Sequence, residues 1–279
     1  MLVLHIGIQK TGTTFLQKAV FPRWRGIRYL RTDSLEKLIR IDDGQVNLLS
    51  REGLSGRNWD NQEARIRCIV RLAELFPEAR IILGFRRHAG YILSSYNHYI
   101  QRGGTLPFHE YFDPVNNQGL MKTGDFLYFD KIRAVEMAFG RRPFIYTLEE
   151  FRGGLDELLD DLAAHIGGQP PKAGELRAKK ENPSLGRLPL KWLRGINRHT
   201  RSELNPDGRW PLKHWRLQRL GLDPRTICQS WLRFLPRHGV VEDDLIDWMN
   251  DHYADDWRQV CEYQTQRRSR AFTRVEPEN

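Results

Sequence analysis

The sequence predicts an α/β fold of three layers, in which a mostly parallel central sheet is flanked by helices and followed by a mainly helical C-terminal part. Two observations lead to this prediction: short apolar runs alternate with helical patterns, and the last third of the chain is basic and rich in tryptophan. The 279 residues are 40% hydrophobic and 28% charged, as in ordinary globular proteins. We therefore expect a single domain over 1–279, with an α/β core at 1–170 and a basic helical part at 171–279.

Five short apolar runs have the length and composition of buried parallel strands. They are LVLHIGI near 2–8, GIRYL near 26–30, QVNLLS at 45–50, ARIILGF at 79–85 and PFIYTL at 143–148. Helical patterns separate them, and the clearest is NQEARIRCIVRLAELF, whose predicted apolar face consists of Ile66, Ile69, Val70, Ala73 and Phe76. Ligands of such sheets bind outside the carboxyl ends of the strands, so the turns after the strands are the candidate sites.

The first of these turns, HIGIQKTGTT at 5–14, has the composition of an anion-binding loop. A strand that leads through a Gly/Thr-rich turn into a helix exposes backbone N–H groups at the helix N-terminus, where an anion is favoured. A lysine adds positive charge, threonines add hydroxyl donors, and a glycine allows close approach of the backbone. The residues that would bind the anion are Lys10, Thr11, Gly12, Thr13 and Thr14.

The loop does not fit the G-x-x-x-x-G-K-[ST] pattern of nucleoside triphosphatases. Thr13 stands where that pattern requires lysine, and the lysine lies earlier, at position 10. Triphosphatases also commonly place an aspartate after another apolar strand to hold magnesium. Here the strand RIILGF ends in Arg86 and Arg87, which cannot bind a metal but can pair with a phosphate. The residues indicate two phosphate sites and no metal site.

Together these features resemble the sulfotransferases that use 3′-phosphoadenosine 5′-phosphosulfate (PAPS). The 5′-phosphosulfate loop of that family follows the first strand and reads approximately P-K-x-G-T-T, and QKTGTT at 9–14 matches it with Gln9 in place of the proline. Its 3′-phosphate site is an arginine at a strand end and a serine eight residues later. In FRRHAGYILSSYNHY, Arg86 and Ser94 have that spacing, although His88 replaces a family proline; Arg87 with Ser95 is the open alternative.

The resemblance implies a P-loop NTPase-like sulfotransferase fold and a metal-independent enzyme. PAPS would be the co-substrate, adenosine 3′,5′-bisphosphate (PAP) the product, and a hydroxyl or amine of a small molecule or carbohydrate the acceptor. Lys10 and the loop N–H groups would stabilise the charge that develops on the leaving phosphate. Later in the chain only KKENPS at 179–184 is similar to a basic family segment, and a simple turn explains that stretch equally well.

The acceptor hydroxyl needs a base, which in this family is a His or a Glu. Glu52 is the first candidate because it follows the predicted strand QVNLLS; the alternative is a loop glutamate paired with Arg51 or Arg57. His98, on the predicted helix that carries Ser94, is the second candidate. His5 lies in a strand that should be buried and is expected to be a hydrogen-bonded core residue.

The basic region at 177–237 suggests an acidic or sugar-like ligand. It holds 15 Lys/Arg against 4 Asp/Glu, and six of the eight tryptophans follow residue 190. A solvated helical cap and an acceptor site are both consistent with this composition. Two rival functions stay open: a P-loop-type phosphotransferase, and a non-catalytic module that binds nucleic acid or acidic ligands through this region. The following acidic stretch, VVEDDLIDWMNDHYADDWRQVCEY, is predicted to be a structural surface helix.

Compartment and partners are predicted from what the sequence lacks. The three cysteines are too far apart for a disulfide framework or a metal site, which fits a reducing compartment. We see no signal-peptide pattern and no apolar run of about 18 residues, so we expect a cytoplasmic protein with no membrane span. No nucleic-acid-binding signature is recognisable, so nucleic acid is not the expected partner. The oligomeric state and the identity of the acceptor stay open.

Overall fold

The computed structural model of the protein describes residues 1–30, 44–176, 185–211, 227 and 240–266. The chain divides into two compact units. The first consists of Met1–Arg87, Leu127–Lys179 and Tyr253–Asn279, and the second of His88–Phe126 and Lys180–His252. Each unit therefore draws residues from both sides of the predicted boundary at residue 170.

The first unit is built on a five-stranded, all-parallel sheet with the strand order β2-β3-β1-β4-β5. The strands are β1 (Leu2–His5), β2 (Ile27–Leu30), β3 (Val46–Ser50), β4 (Arg80–Phe85) and β5 (Phe144–Thr147). All five lie within the predicted runs, so the α/β class and the parallel sheet are confirmed. β2 and β3 lie on one side of β1, and β4 and β5 lie on the other. The strand order therefore reverses at β1, and ligands of wound sheets bind at such a reversal.

The strands form where they do because most of their side chains are apolar, and those of β1, β3, β4 and β5 are largely buried on both faces. On one face, Val3, Leu48 and Ile82 belong to the core cluster. The helical residues in the same cluster are Leu16, Val20, Phe21, Leu158, Leu159, Leu162 and Ile166. On the opposite face Leu4 and Ile81 are paired in register and are also buried.

Ten α-helices lie in the described residues. They are α1 (Thr13–Phe15), α2 (Gln62–Leu75), α3 (His88–Gln101), α4 (Phe108–Tyr111), α5 (Phe129–Phe139), α6 (Glu150–Gly153), α7 (Leu155–Ile166), α8 (Arg187–Asn197), α9 (Asp243–His252) and α10 (Ala254–Thr265). The helix after β1 is irregular, because α1 continues as a π-helical segment, Leu16–Val20, and a 3₁₀ turn, Phe21–Arg23. No helix in the described ranges is long and apolar enough to cross a membrane.

The apolar face predicted for α2 is wrong at Val70, which is 42% exposed. The buried residues of the helix are Arg65, Ile69, Leu72 and Ala73. Arg65 can lie inward because its guanidinium donates to the backbone carbonyl of Asn58 at 2.9 Å. The prediction of the apolar face assumed that every charged residue of the helix faces solvent. Because Arg65 is buried and paired with a backbone oxygen, the buried face of the helix includes Arg65 and leaves out Val70.

The second unit contains α3, α4, α8, α9 and a pair of two-residue strands, β6 (Thr200–Arg201) and β7 (Trp210–Pro211). Its core is rich in aromatic rings, among them Tyr96, Tyr99, Phe108, Tyr111 and Phe112. The acidic stretch predicted as one helix is two helices, α9 and α10, which belong to different units. The KKENPS stretch and much of the basic region at 177–237 lie outside the described residues.

Candidate functional site

The turn after β1 is shaped by two residues in the left-handed region. Lys10 has φ +70° and Gly12 has φ +87°. A Cβ added at Gly12 would lie 3.0 Å from Phe151 Cε2 and 3.2 Å from Leu148 Cδ1, so glycine is required there by conformation and by space. Thr11 is fully buried, and its hydroxyl donates to the carbonyl oxygen of Ile8 at 2.6 Å. The loop is therefore held in one tight conformation at the start of α1.

Glu52 lies beside this loop at the carboxyl end of β3. It begins a 3₁₀ helix, Glu52–Ser55, which is tied to the β1 side by two hydrogen bonds. Arg51 N–H donates to the carbonyl of His5 at 3.1 Å, and the Ser55 hydroxyl donates to the carbonyl of Ile6 at 2.7 Å. The end of β3 is therefore fixed against the entry to the loop.

The Glu52 carboxyl group is coupled to the loop itself. The Thr13 hydroxyl donates a hydrogen bond to Glu52 Oε1. Desolvation by burial raises the pKa of Glu52 to about 7, against the opposing effect of the positive charge of Lys10. A carboxyl group in this state is close to half ionised at neutral pH and can both accept and release a proton.

A buried polar group lies under the loop. His5 is 1% exposed, with Nδ1 2.6 Å from Ser50 Oγ and Nε2 3.0 Å from the Tyr146 hydroxyl. Burial lowers the pKa of His5 to about 3, so the ring is neutral. Burial also raises the pKa of Tyr146. The prediction that His5 is a hydrogen-bonded core residue is confirmed.

Arg86 directly follows β4, which is the neighbour of β1 in the sheet. It is half-buried, and its backbone carbonyl accepts a hydrogen bond from the Tyr128 hydroxyl at 2.9 Å. The carboxyl ends of β1 and β4 lie at the same edge of the parallel sheet, so Arg86 and the loop after β1 leave the sheet at that edge. Arg87 is exposed instead, and its guanidinium lies 5.8 Å from the ring centre of Trp257.

The remaining predicted residues lie on α3 in the second unit. Ser94 is buried and His98 is half-buried. Ser95 is fully buried, and its hydroxyl is 2.9 Å from that of Tyr111. Tyr96, which follows the predicted serine pair, packs in the aromatic core of the same unit. The structure brings Lys10, Thr13 and Glu52 together, whereas a role for Ser94 or His98 in the site stays a prediction.

Sequence reasoning missed Ser50, Tyr146 and Gln17 as parts of this site. The available signal was that His5 and Tyr146 are polar residues within runs predicted to be buried, where polar groups need partners. Gln9, which stands at the position of the family proline, adds another polar group. Its Oε1 is buried and has no hydrogen-bond partner in the part of the chain that the structure describes. A buried acceptor without a partner is suited to a donor from a ligand.

Comparisons of this chain with protein-family models, with curated proteins and with solved structures found no match. Within the described ranges, no group of three or more His, Cys, Asp or Glu side chains is arranged to hold a metal ion. Cys68 and Cys261 are free thiols. The functional proposal therefore depends on the motifs and on the geometry around the loop.

Proposed function

We propose that this protein is a PAPS-dependent sulfotransferase whose α/β core is of the P-loop-like sulfotransferase type. It would transfer a sulfuryl group to a hydroxyl or amine of a small-molecule or carbohydrate acceptor, in the cytoplasm. The observation that carries the proposal is the pairing of a Lys/Gly/Thr loop after β1 with Glu52, a shielded carboxyl group that accepts a hydrogen bond from Thr13.

The loop would hold the 5′-phosphosulfate. Lys10 supplies the positive charge, and the left-handed turn at Gly12 lets the backbone approach an anion without a Cβ in the way. Thr11 donates its hydroxyl proton to Ile8 and Thr13 donates its own to Glu52, so both would contribute their backbone N–H groups, whereas the hydroxyl group of Thr14 remains as a candidate donor. These donors would stabilise the negative charge that the leaving phosphate gains as its bond to sulfur breaks.

Glu52 would act as the base. As the acceptor oxygen forms its bond to sulfur, its proton passes to the Glu52 carboxylate and the phosphate oxygen leaves as part of PAP. A pKa of about 7 suits this role, because such a carboxyl group is ionised often enough and is basic enough to take the proton at neutral pH. His98 stays the second candidate for the base.

For the 3′-phosphate, we keep Arg86 with Ser94 as the proposed pair and Arg87 with Ser95 as the alternative. The Ser95 hydroxyl is hydrogen-bonded to Tyr111 inside the core of the second unit. The guanidinium of Arg87 lies over the Trp257 ring. Arg86 keeps the position directly after β4 that the resemblance assigns to the phosphate-binding arginine.

The test is a calorimetric titration of the full chain with PAP, compared with ATP and Mg²⁺. We expect PAP to bind, and Lys10→Ala and Arg86→Ala each to weaken binding roughly 10- to 100-fold, since a charge-assisted hydrogen bond contributes about 1.5–3 kcal/mol. Lys18→Ala is the matched control, because its side chain is exposed, and it should bind like the wild type; Arg87→Ala tests the alternative phosphate pair.

Other outcomes would replace the proposal. Binding of ATP with Mg²⁺ but not of PAP would favour a phosphotransferase. Affinity for DNA or RNA that falls steeply with salt, without affinity for either nucleotide, would favour a non-catalytic binder. If Arg87→Ala rather than Arg86→Ala loses affinity, the phosphate pair is Arg87 with Ser95.

A further inference from the structure

The exposed face of α8, in the second unit, carries two parallel stripes of side chains. Residues spaced i, i+4, i+7 and i+11 lie on one line along a helix. The basic stripe consists of Arg187, Lys191, Arg194 and Arg198. The neighbouring stripe consists of Leu188, Trp192 and Gly195, and is continued by His199 in the turn that ends the helix. Leu188 and Trp192 are each 51% exposed, and most of the basic stripe is exposed as well.

The opposite face of α8 fixes which residues point outward. Its buried residues are Pro189, Leu190, Leu193 and Asn197. Asn197 Nδ2 donates to the carbonyl oxygens of Ile100 at 2.7 Å and Gly104 at 2.8 Å, which ties the end of α8 to the end of α3. The helix is therefore held on α3 in one rotational position, and the two stripes stay at the surface of the unit.

The segment after α8 brings a second tryptophan to the end of the helix. Asn205 Nδ2 donates to the carbonyl oxygens of Asn197 at 2.8 Å and Thr200 at 3.1 Å. The backbone N–H of Trp210 donates to the His199 carbonyl at 3.1 Å, and the two ring centres lie 6.3 Å apart. Trp210 is 65% exposed. Hydrogen bonds of the backbone thus place an exposed indole beside the end of the second stripe.

These two tryptophans are not core residues, so the composition of this region is not explained by a buried cap. Residues 185–211 hold six Lys/Arg against two Asp/Glu. Within the described residues, no carboxylate forms an ion pair with Arg187, Lys191 or Arg198. Large aromatic rings exposed beside uncompensated cations are suited to a ligand that has both rings and negative charges.

The spacing of the rings distinguishes among such ligands. Trp192 and His199 are about 10 Å apart along the axis, and a Cβ added at Gly195 between them meets nothing within 4 Å. Single-stranded nucleic acid is bound by aromatic rings on which successive bases stack. A membrane-bound helix needs a broad apolar face, and this stripe contains a glycine and a histidine. A sugar chain needs only an occasional ring under the C–H face of a sugar, with cations beside its carboxylates or sulfates.

We propose that the α8 surface, formed by the two stripes and Trp210, is a binding site for an acidic oligosaccharide. Sugar rings would pack on Trp192 and Trp210, and their acidic groups would pair with the exposed cations of the basic stripe. Whether the bound chain is the acceptor of sulfuryl transfer rests on the proposed function, whereas the binding itself does not.

The binding is tested by titrating the full chain with a short oligogalacturonate at low salt. We expect Trp192→Ala to weaken binding about 3- to 10-fold and Trp192→Phe to keep most of the affinity, since an aromatic ring is retained. Lys191→Ala should weaken binding about 2- to 5-fold, and added salt should weaken it further. Met137→Ala, at a side chain that is 83% exposed in the first unit, and Lys18→Ala are the controls and should bind like the wild type.

Two further probes separate the ring from the charge. Inorganic polyphosphate has the charge without sugar rings, so Lys191→Ala should weaken its binding and Trp192→Ala should not. A neutral malto-oligosaccharide has the rings without the charge and should bind more weakly than oligogalacturonate. If Trp192→Ala binds oligogalacturonate like the wild type, the ring contact is refuted.

Other occupants of the α8 surface are also recognisable. Tighter binding of oligothymidylate than of oligogalacturonate, lost in Trp192→Ala, would make this a nucleic-acid surface. Binding to vesicles of phosphatidylglycerol and phosphatidylcholine, without affinity for oligogalacturonate, would make it a membrane surface. Either result would overturn the proposal.

Titration of the same variants with PAP keeps this inference apart from the proposed function. Trp192→Ala and Lys191→Ala should bind PAP like the wild type, because the phosphate loop belongs to the first unit. A wild type that binds PAP but not oligogalacturonate would overturn the α8 surface alone, and the reverse would overturn the proposed function alone. If the bound chain is the acceptor, Trp192→Ala should raise KM about as much as Kd and leave kcat unchanged; an unchanged KM would refute that assignment.

Discussion

At the scale of single residues, the candidate site depends on Glu52. Burial of its carboxyl group lowers the stability of the fold and gives the group a pKa that suits proton transfer. Its carboxyl group is shielded from water, which raises its pKa to about 7, and Lys10 only partly offsets this effect. A glutamate in an exposed surface loop would keep an ordinary pKa and would not lower the stability of the fold. We therefore expect the same side chain to limit both the pH range of the reaction and the stability of the fold.

Glu52→Gln should slow sulfuryl transfer by about 10²–10⁴-fold, the usual contribution of a general base, and should leave PAP affinity near the wild-type value. In the wild type the rate should rise with pH through about 7, because only the ionised carboxylate accepts a proton. Steady-state rates from pH 5.5 to 8.5 test this expectation. Full turnover by Glu52→Gln would move the base elsewhere, and His98→Ala would be the next variant.

The same substitution should stabilise the fold at alkaline pH. The pKa of Glu52 is raised in the folded state, so the folded chain holds the proton more tightly, and stability falls as pH rises from about 4.5 through about 7. Glu52→Gln should therefore raise the free energy of unfolding at pH 8 by on the order of 2 kcal/mol and change it little at pH 4. Glu63→Gln, at a side chain that is 78% exposed, is the control and should show no such difference.

At the scale of elements, the sequence predicted the strands well and the helices less well. Each strand is a short, mostly apolar run, and all but β2 are largely buried on both faces; that pattern depends only on local composition. The inward face of α2 depends on a pairing of Arg65 with the carbonyl of Asn58, which composition does not report. The acidic stretch divides at Tyr253 because its two halves pack in different units. The second half, α10, packs on α5 and β5 of the first unit.

The turn between β1 and α1 should be intolerant of a methyl group at Gly12. Gly12→Ala would place a Cβ at φ +87° and within 3.0 Å of Phe151 Cε2. We expect a loss of about 1–2 kcal/mol in stability and a clear loss of PAP affinity, because strain would open the loop. Gly124→Ala is the control, since a Cβ there meets nothing within 4 Å.

Thermal unfolding and PAP titration of both glycine variants measure these two effects. If Gly12→Ala binds PAP like the wild type, the left-handed turn is not needed for the anion, and the loop would not be the phosphate site. The left-handed conformation of Lys10, the other such residue of this turn, would then not be needed for anion binding either.

At the scale of the whole molecule, the parts of the site that were predicted are those with a local signature. The loop at 5–14 and the strand end before Glu52 can be found from the order of strand, turn and helix. Tyr146 could not be found in this way, because it lies 141 residues from His5 and meets it only through the strand order β1-β4-β5. Which polar residues of separate strands face each other is set by the sheet and its register, and a single sequence does not show this.

The histidines give the molecule as a whole a predictable sensitivity to acid. Burial lowers the pKa of His5 to about 3; for His165, burial and then the charge of Arg80 lower it to about 4. Both rings are neutral when folded but bind a proton below about pH 6.5 when unfolded, so stability falls as pH drops from 6.5 towards these values. Between pH 6.5 and 4.5 each histidine should cost about 2–3 kcal/mol, partly offset by protonation of Glu52.

Urea denaturation at pH 7 and pH 4.5 measures this loss. His165→Gln should reduce the difference in unfolding free energy between the two pH values, because its side chain no longer titrates. His109→Gln should not, since His109 is 80% exposed. If the two variants show the same difference, burial of His165 does not contribute to the acid sensitivity, which then has another origin.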